Sequence, residues 1–346
     1  MDTRSHVTLE EVAQVASVSL ATASRVLNGT TNVREDLRER VLSAATNLDY
    51  TPNVHAQALA GSSRRTVGVV CHDITDPYCA AVARGVLREA DRNGLLVMLA
   101  NTFRDREREL EYVSMLRAQR ASAILLVGSG YEDKEWARAM TTELEPYRRG
   151  GGQVAVVGRH RNLKADSAQP ENRAGAKALA AALVEQGHRR FAVLAGPLNL
   201  TTVLDRLGGF EEGLAEAGIA LSERDVFESS FDRDGGYAAA NELLAAKHKA
   251  TCVFAVTDLM ALGAMTALRE AGRAVPENIS VAGFDDIPLA SDLAPALTTV
   301  ALPLEELGAQ AMELALTGTR GGRSRVRRLS GEVVLRESTA KPRRRR

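Results

Sequence analysis

Val18-Ser19-Leu20-Ala21-Thr22-Ala23-Ser24-Arg25-Val26-Leu27-Asn28-Gly29 reads as a short helix held between two turns. Ser19 is a natural N-cap, Ala23, Val26 and Leu27 share one face, and Asn28-Gly29 closes the helix with residues that tolerate a positive φ. Upstream, Thr8-Leu9-Glu10-Glu11 forms a capping box, so a helix starts at Leu9 and places Leu9, Val12, Ala13 and Ala16 on one side. Ser17-Val18-Ser19 supplies the tight turn between the two. Downstream, Asn32-Val33-Arg34-Glu35 is the candidate cap of a third helix, whose Leu37, Val41, Leu42, Ala45 and Leu48 complete a small core. Two short helices with a sharp turn between them are the geometry that presents the second helix to the major groove of DNA.

Beyond this module the pattern changes. From Thr66 onward, apolar runs alternate with helical patterns at the period of βα units. Val67–Cys71, Leu95–Leu99, Ala123–Val127, Val154–Val157, Phe191–Leu194, Cys252–Val256 and Ile279–Gly283 read as strands buried on both faces. Helices over 78–93, 106–120, 173–186, 203–217, 235–247 and 259–271 separate them. The fold class that follows is an N-terminal all-α helix-turn-helix module joined to an α/β domain with parallel sheets. The domains run 1–52, a hinge and linker 53–65, a large domain 66–340 and a basic tail 341–346.

A chain of 346 residues with 45% hydrophobic content has ample material for a buried core. No apolar run approaches a membrane span and no secretory pattern opens the chain, so a cytoplasmic location without membrane contact is expected. Cys71, Cys79 and Cys252 are an odd number without metal-ligand spacing, which reads as thiols in a reducing compartment and gives no metal or cofactor. The formal net charge of zero hides a polarised distribution. Residues 1–65 are neutral, residues 320–346 carry +9, and the stretch between carries −9. A neutral module departs from the basic footprint usual in DNA-binding domains and implies modest non-specific affinity.

Val7-Thr8-Leu9-Glu10-Glu11-Val12-Ala13, Val18-Ser19, Thr22 to Gly29, Arg38-Glu39-Arg40-Val41 and Tyr50-Thr51-Pro52-Asn53 resemble, in order and spacing, the signature of the LacI/GalR family of transcription regulators, and the resemblance runs through nearly the whole chain. Ser17 replaces the usual turn glycine, at some strain if the position needs φ > 0. The resemblance implies that Leu20, Ala21 and Arg25 face the bases. Arginine grips guanine O6 and N7 bidentately, and alanine or leucine touches a thymine methyl. It also implies that Thr8, Ser19, Thr22, Ser24 and Asn28 hold phosphates, the plain alternative being that they only cap helices. Asn53 to Gly61 is too short for a stable isolated helix. In the family it orders on operator DNA, with Asn53, His55 and Ala56 at the hinge contact and Leu59 as the wedge in the minor groove. His55 stands where an apolar residue is usual, and two imidazolium groups facing each other across paired hinges would weaken operator affinity at mildly acidic pH.

For the large domain the resemblance implies a two-lobed, periplasmic-binding-protein-like fold with crossovers near 162–166, 288–299 and 325–331, and a ligand cleft at the strand ends. Glu171, Arg206, Phe231, Thr257 and Asp285 match the family's cleft positions, and Asp73, Asp76 and Tyr78 border the cleft from the first lobe. Carboxylates accept from vicinal hydroxyls, arginine donates in a fixed fork, and an aromatic ring covers the apolar face of a sugar. Arg206 and Asp285 also read as a structural ion pair across the cleft, Phe231 as core and Asp258 as a helix cap. Arg206→Ala is expected to abolish ligand binding and leave the fold intact. Thr257 and Glu171 depart from the family's usual Asn and Asp, so the effector is a sugar first, with another polyol, a nucleoside or a metabolite open.

The expected function is a cytoplasmic repressor that binds a pseudo-palindromic operator as a homodimer, with affinity set by that effector. Three rivals stay open: a binding protein that has lost DNA readout, a corepressor or activator sign of response, and a sugar-processing enzyme. The histidines are scattered and no Walker loop, GxGxxG or GxSxG is present, which disfavours catalysis.

Overall fold

The computed structural model describes residues 7–28, 33–51, 66–318 and 323–342. The chain divides into two compact units, Met1–Arg64 and Arg65–Arg346. The expected hinge residues Asn53, His55, Ala56 and Leu59 lie outside the described residues, as do Gly29 and Asn32.

In the first unit α1 spans Leu9–Val15, α2 Leu20–Leu27 and α3 Glu35–Asn47. The capping box forms: Thr8 N–H donates to Glu11 Oε2 at 2.6 Å while Thr8 Oγ1 accepts from Glu11 N–H at 3.3 Å. Those bonds hold the Glu11 carboxyl below its ordinary range. Ser17 sits at φ 52°, the left-handed turn for which its family position favours glycine, and Ser19 Oγ caps α2 by accepting from Thr22 N–H. Asn28 differs from expectation. Its φ is −89° and its Nδ2 donates to Ser24 Oγ at 3.2 Å.

Val12, Ala13, Ala16, Ala23, Val26, Val41, Ala44 and Ala45 fill the core. Leu42, expected inside, is exposed, because Val41 and Ala45 already occupy the inner stripe and Leu42 falls a residue past it. Arg34, the residue before α3, makes no side-chain cap. The anchor of α3 is Arg40, whose Nη2 donates to the carbonyls of Ala16 at 2.5 Å and Ser17 at 3.0 Å and so satisfies the end of α1.

The second unit is a pair of α/β lobes. Its first lobe carries β1 (Thr66–Cys71), α4 (Pro77–Arg92), β2 (Leu96–Asn101), α5 (Arg106–Ala118), β3 (Ala123–Val127), α6 (Lys134–Arg149), β4 (Gln153–Val157) and β5 (Asp166–Pro170). The second carries α7 (Asn172–Glu185), β6 (Phe191–Ala195), α8 (Thr201–Glu216), β7 (Val226–Glu228), α9 (Arg233–Ala245), β8 (Cys252–Ala255), α10 (Asp258–Glu270), β9 (Ser280–Ala282), α11 (Leu289–Asp292) and β10 (Thr299–Ala301). The chain then gives α12 (Leu304–Leu316) and β11 (Val326–Leu329) back to the first lobe and β12 (Glu332–Val334) to the second.

The sheets order β11-β5-β4-β3-β1-β2 and β7-β6-β8-β9, all pairs parallel, with an antiparallel β10-β12 ribbon. Parallel strands covered by helices explain the near-continuous apolar runs of β1, β3, β4, β6 and β8. β2 does not fit that description. It is the sheet edge, with Leu96 and Leu99 exposed, so one flank is open and its apolar run does not report double burial.

The crossovers move relative to expectation. Residues 162–166 stay in the first lobe because Asp166 pairs with Ala155, and the chain leaves only after β5. Residues 288–299 stay in the second lobe, since Thr299–Ala301 pair with β12, and the return runs through α12 from Leu304. The third passage falls between β11 and β12, inside the expected 325–331.

One half-buried acid in the first lobe, with its Oε2 out of solvent, gives a pH signature. Burial raises the Glu109 carboxyl on α5 from 4.5 to about 7, against the lowering pulls of Trp136 and Arg106. Between those values the native state keeps a proton that the unfolded chain has released, so this group's contribution to stability falls as pH rises through the window and is flat above it. Glu109→Gln removes the effect. Its melting temperature relative to wild type should climb from pH 4.5 to pH 7.5; an unchanging difference would show that Glu109 ionises normally.

Candidate functional site

The strand ends of both lobes face one cleft. It is lined by His72, Asp76, Tyr78, Arg104, Gly128 and Ser129 from the first lobe and by Thr202, Arg206, Phe231, Thr257, Leu259, Asp285 and Ile287 from the second. These side chains enclose a small cavity of about 30 Å³.

Arg206 is the centre of the second lobe's wall. It projects from α8 with 2% exposure, donates from Nε to Asn172 Oδ1 at 3.0 Å, from Nη1 to the Val256 carbonyl at 2.7 Å and from Nη2 to Asp285 Oδ1 at 2.5 Å, and lies 4.0 Å over the Phe284 ring. Asp285 is held at φ 119°, an unusual backbone for a residue with a side chain, after β9. Burial pushes its carboxyl up against the downward pull of Arg206. Both partners belong to the second lobe, so the pair braces one wall and does not span the cleft. Tyr78 reaches in from α4, its phenol raised by burial and by the nearby Asp285 charge.

Thr257 lines the cleft and is also the N-cap of α10, accepting from Met260 N–H at 3.2 Å. Asp258, expected to cap that helix, instead accepts from Thr299 Oγ1 at 2.6 Å and Ile287 N–H at 2.9 Å, a buried tie between α10 and the loop after β9. Phe231 stands at the rim, and Gly196 makes room for it: a methyl there would lie 2.4 Å from its ring.

Two expected residues are not in the cleft. Asp73 turns away to accept from the Thr75 amide and hydroxyl, a local turn that leaves Asp76 as the first lobe's cleft carboxylate. Glu171 lies in a separate groove beside Arg159, Asp205 and Arg328, because the helical step at the start of α7 turns Asn172, not Glu171, toward Arg206. Arg104, Ser129 and Thr202 were not singled out in the sequence, and nothing in their neighbours' pattern marks them. Ser129 and Gly130 form a second junction between the lobes: the Gly130 carbonyl accepts from Thr201 N–H, Ser129 Oγ accepts from Thr202 N–H, and Tyr131 bridges Leu200.

The histidines are less scattered than they read. His72 Nε2 meets Asp76 Oδ2 at 2.8 Å, and its Nδ1 lies 3.4 Å from Cys79 Sγ. The order resembles a nucleophile chain, but Cys79 has no exposed surface, its thiol is raised by the bond to Cys71 and by burial, and burial pushes His72 down. A protonated thiol under a neutral ring is no nucleophile. The same three side chains have ligand atoms within 4.8 Å of one another. Both ring nitrogens are already engaged inside the protein, which makes the group a hydrogen-bonded relay bracing Asp76 at the cleft.

In the first unit Leu20, Ala21 and Arg25 share the exposed side of α2, opposite Ala23 and Val26. Thr8 and Ser19 occupy the N-caps of α1 and α2, and Ser24 and Asn28 bond to each other along the same exposed flank.

The profile of bacterial regulatory proteins of the lacI family matches residues 8–53, and a periplasmic binding protein-like domain matches residues 180–339. The HTH-type transcriptional regulator GalS of Salmonella typhimurium is 36% identical over 315 residues, 91% of each chain. The chain belongs to the LacI family. Another member, the HTH-type transcriptional regulator DegA of Bacillus subtilis, is 31% identical over 96% of this chain and 98% of its own. Among solved LacI-family structures, the lac repressor dimer bound to operator and the anti-inducer ONPF aligns with TM-score 0.83 at 27% identity, covering 97% of this chain and all of that one. A complex of the regulator CelR with cellobiose aligns with TM-score 0.70 at 31% identity over 96% of this chain and all of its own. The chain is thus a helix-turn-helix transcription regulator carrying a two-lobed sensor domain, and among its described residues no helix is long and apolar enough to cross a membrane.

Proposed function

We propose that this LacI-family protein is a cytoplasmic repressor that binds a pseudo-palindromic operator as a homodimer and changes its operator affinity when a small polyhydroxylated effector, a sugar first, occupies the cleft. The observation that carries the effector reading is the wall built by Arg206 and Asp285, with Asn172 fixing Arg206 from behind and Phe231 at the rim: fixed donors and acceptors beside an aromatic face, in a cleft shared by two lobes. Such a site is occupied by binding, and regulation follows from the different affinities of the ligand for two lobe arrangements, without turnover. Residues 53–65 act as the tether that responds. The lac repressor dimer on operator and CelR with cellobiose favour the same reading by analogy.

On DNA, Leu20, Ala21 and Arg25 read bases while Thr8, Ser19, Thr22, Ser24 and Asn28 hold phosphates. Arg25→Ala should weaken binding to the protein's own upstream region about 5- to 150-fold, the loss of one bidentate base contact, and leave non-specific DNA nearly unaffected. Fluorescence anisotropy on both DNAs checks it. An equal loss on both would assign Arg25 to phosphate, and no footprint with or without small molecules would overturn the regulator reading.

A further inference from the structure

Arg104 is the unexplained group in the cleft. It stands in the loop after β2, where Phe103 and Arg104 both adopt left-handed backbone, φ 51° and 62°, conformations that cost side-chain-bearing residues about 1 kcal/mol or more each. The loop throws the side chain across to the other lobe. There the guanidinium donates from Nη2 to the Phe231 carbonyl at 3.3 Å and lies 4.8 Å from the Phe231 ring centroid.

What Arg104 lacks is an anion. No carboxylate lies within ion-pair distance of it among the described residues. The acids nearest in its field are committed elsewhere: Asp76 to His72 Nε2 and the Tyr78 amide, and Asp232 to the Gly235 amide and Ser230 hydroxyl at the start of α9. Arg206, the cleft's other cation, is matched by Asp285. Burial pushes the His72 imidazole down, toward its neutral form. The cleft therefore presents a partly buried cation with no carboxylate at ion-pair distance; the Asp76 charge acts on it from farther off, and its direct contacts, a carbonyl and a π face, compensate a charge poorly. Those contacts also cover the ring that a sugar would stack on.

We propose that the effector is a polyhydroxylated anion, a sugar phosphate or a sugar acid, whose anionic group takes the Arg104 fork. This rests on the effector-controlled reading above and narrows it. The anion draws the guanidinium from Phe231, so one exchange forms a bidentate charge-assisted contact and uncovers the aromatic face for the sugar body. Arg206 and Asp285 then meet the hydroxyls. A neutral sugar obtains neither effect.

The test uses full-length wild type, Arg104→Gln and Arg104→Lys, titrated by calorimetry with ribose, ribose 5-phosphate and ribonate, with glucose, glucose 6-phosphate and gluconate, and with inorganic phosphate alone. An anionic member should bind more tightly than its neutral parent, phosphate should compete with it, and Arg104→Gln should weaken it roughly 10- to 100-fold, the size of one charge-assisted contact, with Arg104→Lys between. Whether the ester or the acid wins decides the source of the charge. Tighter binding of a neutral sugar than of both its anions, an affinity unchanged in Arg104→Gln, or a panel in which no anion binds overturns the proposal. Operator binding measured in parallel separates the two claims. An operator response to a neutral sugar alone leaves the regulator and removes the anion, whereas Arg104-dependent anion binding without any operator binding leaves the anion site and removes the regulator.

Discussion

Arg206→Ala should lose effector binding and, against the sequence-based expectation of an intact fold, should also unfold more easily by about 3–5 kcal/mol, a fall in melting temperature on the order of 10 °C. The reason is what remains behind. Asp285, 3% exposed with Arg206 in place, loses its counter-charge, while the Val256 carbonyl and Asn172 lose their donor. An unpaired buried carboxylate costs more than the pair contributes, because the desolvation of both ions already offsets most of their attraction. It follows that the double variant Arg206→Met with Asp285→Asn, which removes both charges at similar volume and keeps at φ 119° a residue that tolerates it, recovers much of the lost stability and still binds no effector. Chemical denaturation and ligand titration of the two variants read these effects apart. A single variant as stable as wild type would mean that Asp285 is neutral or rehydrated; a double variant that still binds would place the ligand elsewhere.

How much of this was legible beforehand follows from the range of the forces involved. Thr8, Glu11 and Ser19 act on neighbours three residues away, so the helix starts of the first unit are written locally. The apolar runs of β1, β3, β4, β6 and β8 announce themselves by continuous burial. β5, which reads Asp-Ser-Ala-Gln-Pro, carries no such signal, and its strand form depends on Ala155 and Val326 on its two sides. α12 follows the last expected strand and carries no local sign of its lobe; its packing on α4 and on β3, β4 and β5 shows that it belongs to the first. In the cleft, Arg206, Phe231, Thr257, Asp285 and Tyr78 were identified by their place in a family pattern. Glu171 and Asp73 were misplaced by a single helical or turn step, a distance that a pattern does not resolve. Arg104 could not be read at all, since its role comes from a loop conformation and a partner 127 residues away.

Gly236→Ala and Gly263→Ala should each cost about 2–3 kcal/mol or more, although alanine is the better helix former by about 1 kcal/mol. Magnitude decides the sign. A methyl on Gly236 would lie 2.0 Å from the Met260 carbonyl oxygen, and one on Gly263 would lie 1.9 Å from that of Arg233. Both obstacles are backbone, so α9 and α10 must move apart by more than an ångström to restore ordinary contact. The consequence reaches the cleft because Arg233 opens α9 two residues after Phe231, and Met260 lies one turn into α10 after Thr257. Separating the helices separates the aromatic rim from the hydroxyl opposite it, and effector affinity should fall with stability. Gly208→Ala on α8 is the control, since its methyl would meet only the tip of the Arg173 side chain, which can swing aside. That variant should be as stable as wild type or up to about 1 kcal/mol more so, with binding unchanged. Urea denaturation of the three variants checks the order. A Gly236→Ala protein that matches the control in stability would mean that the two helices slide freely over one another and that their crossing does not set the cleft.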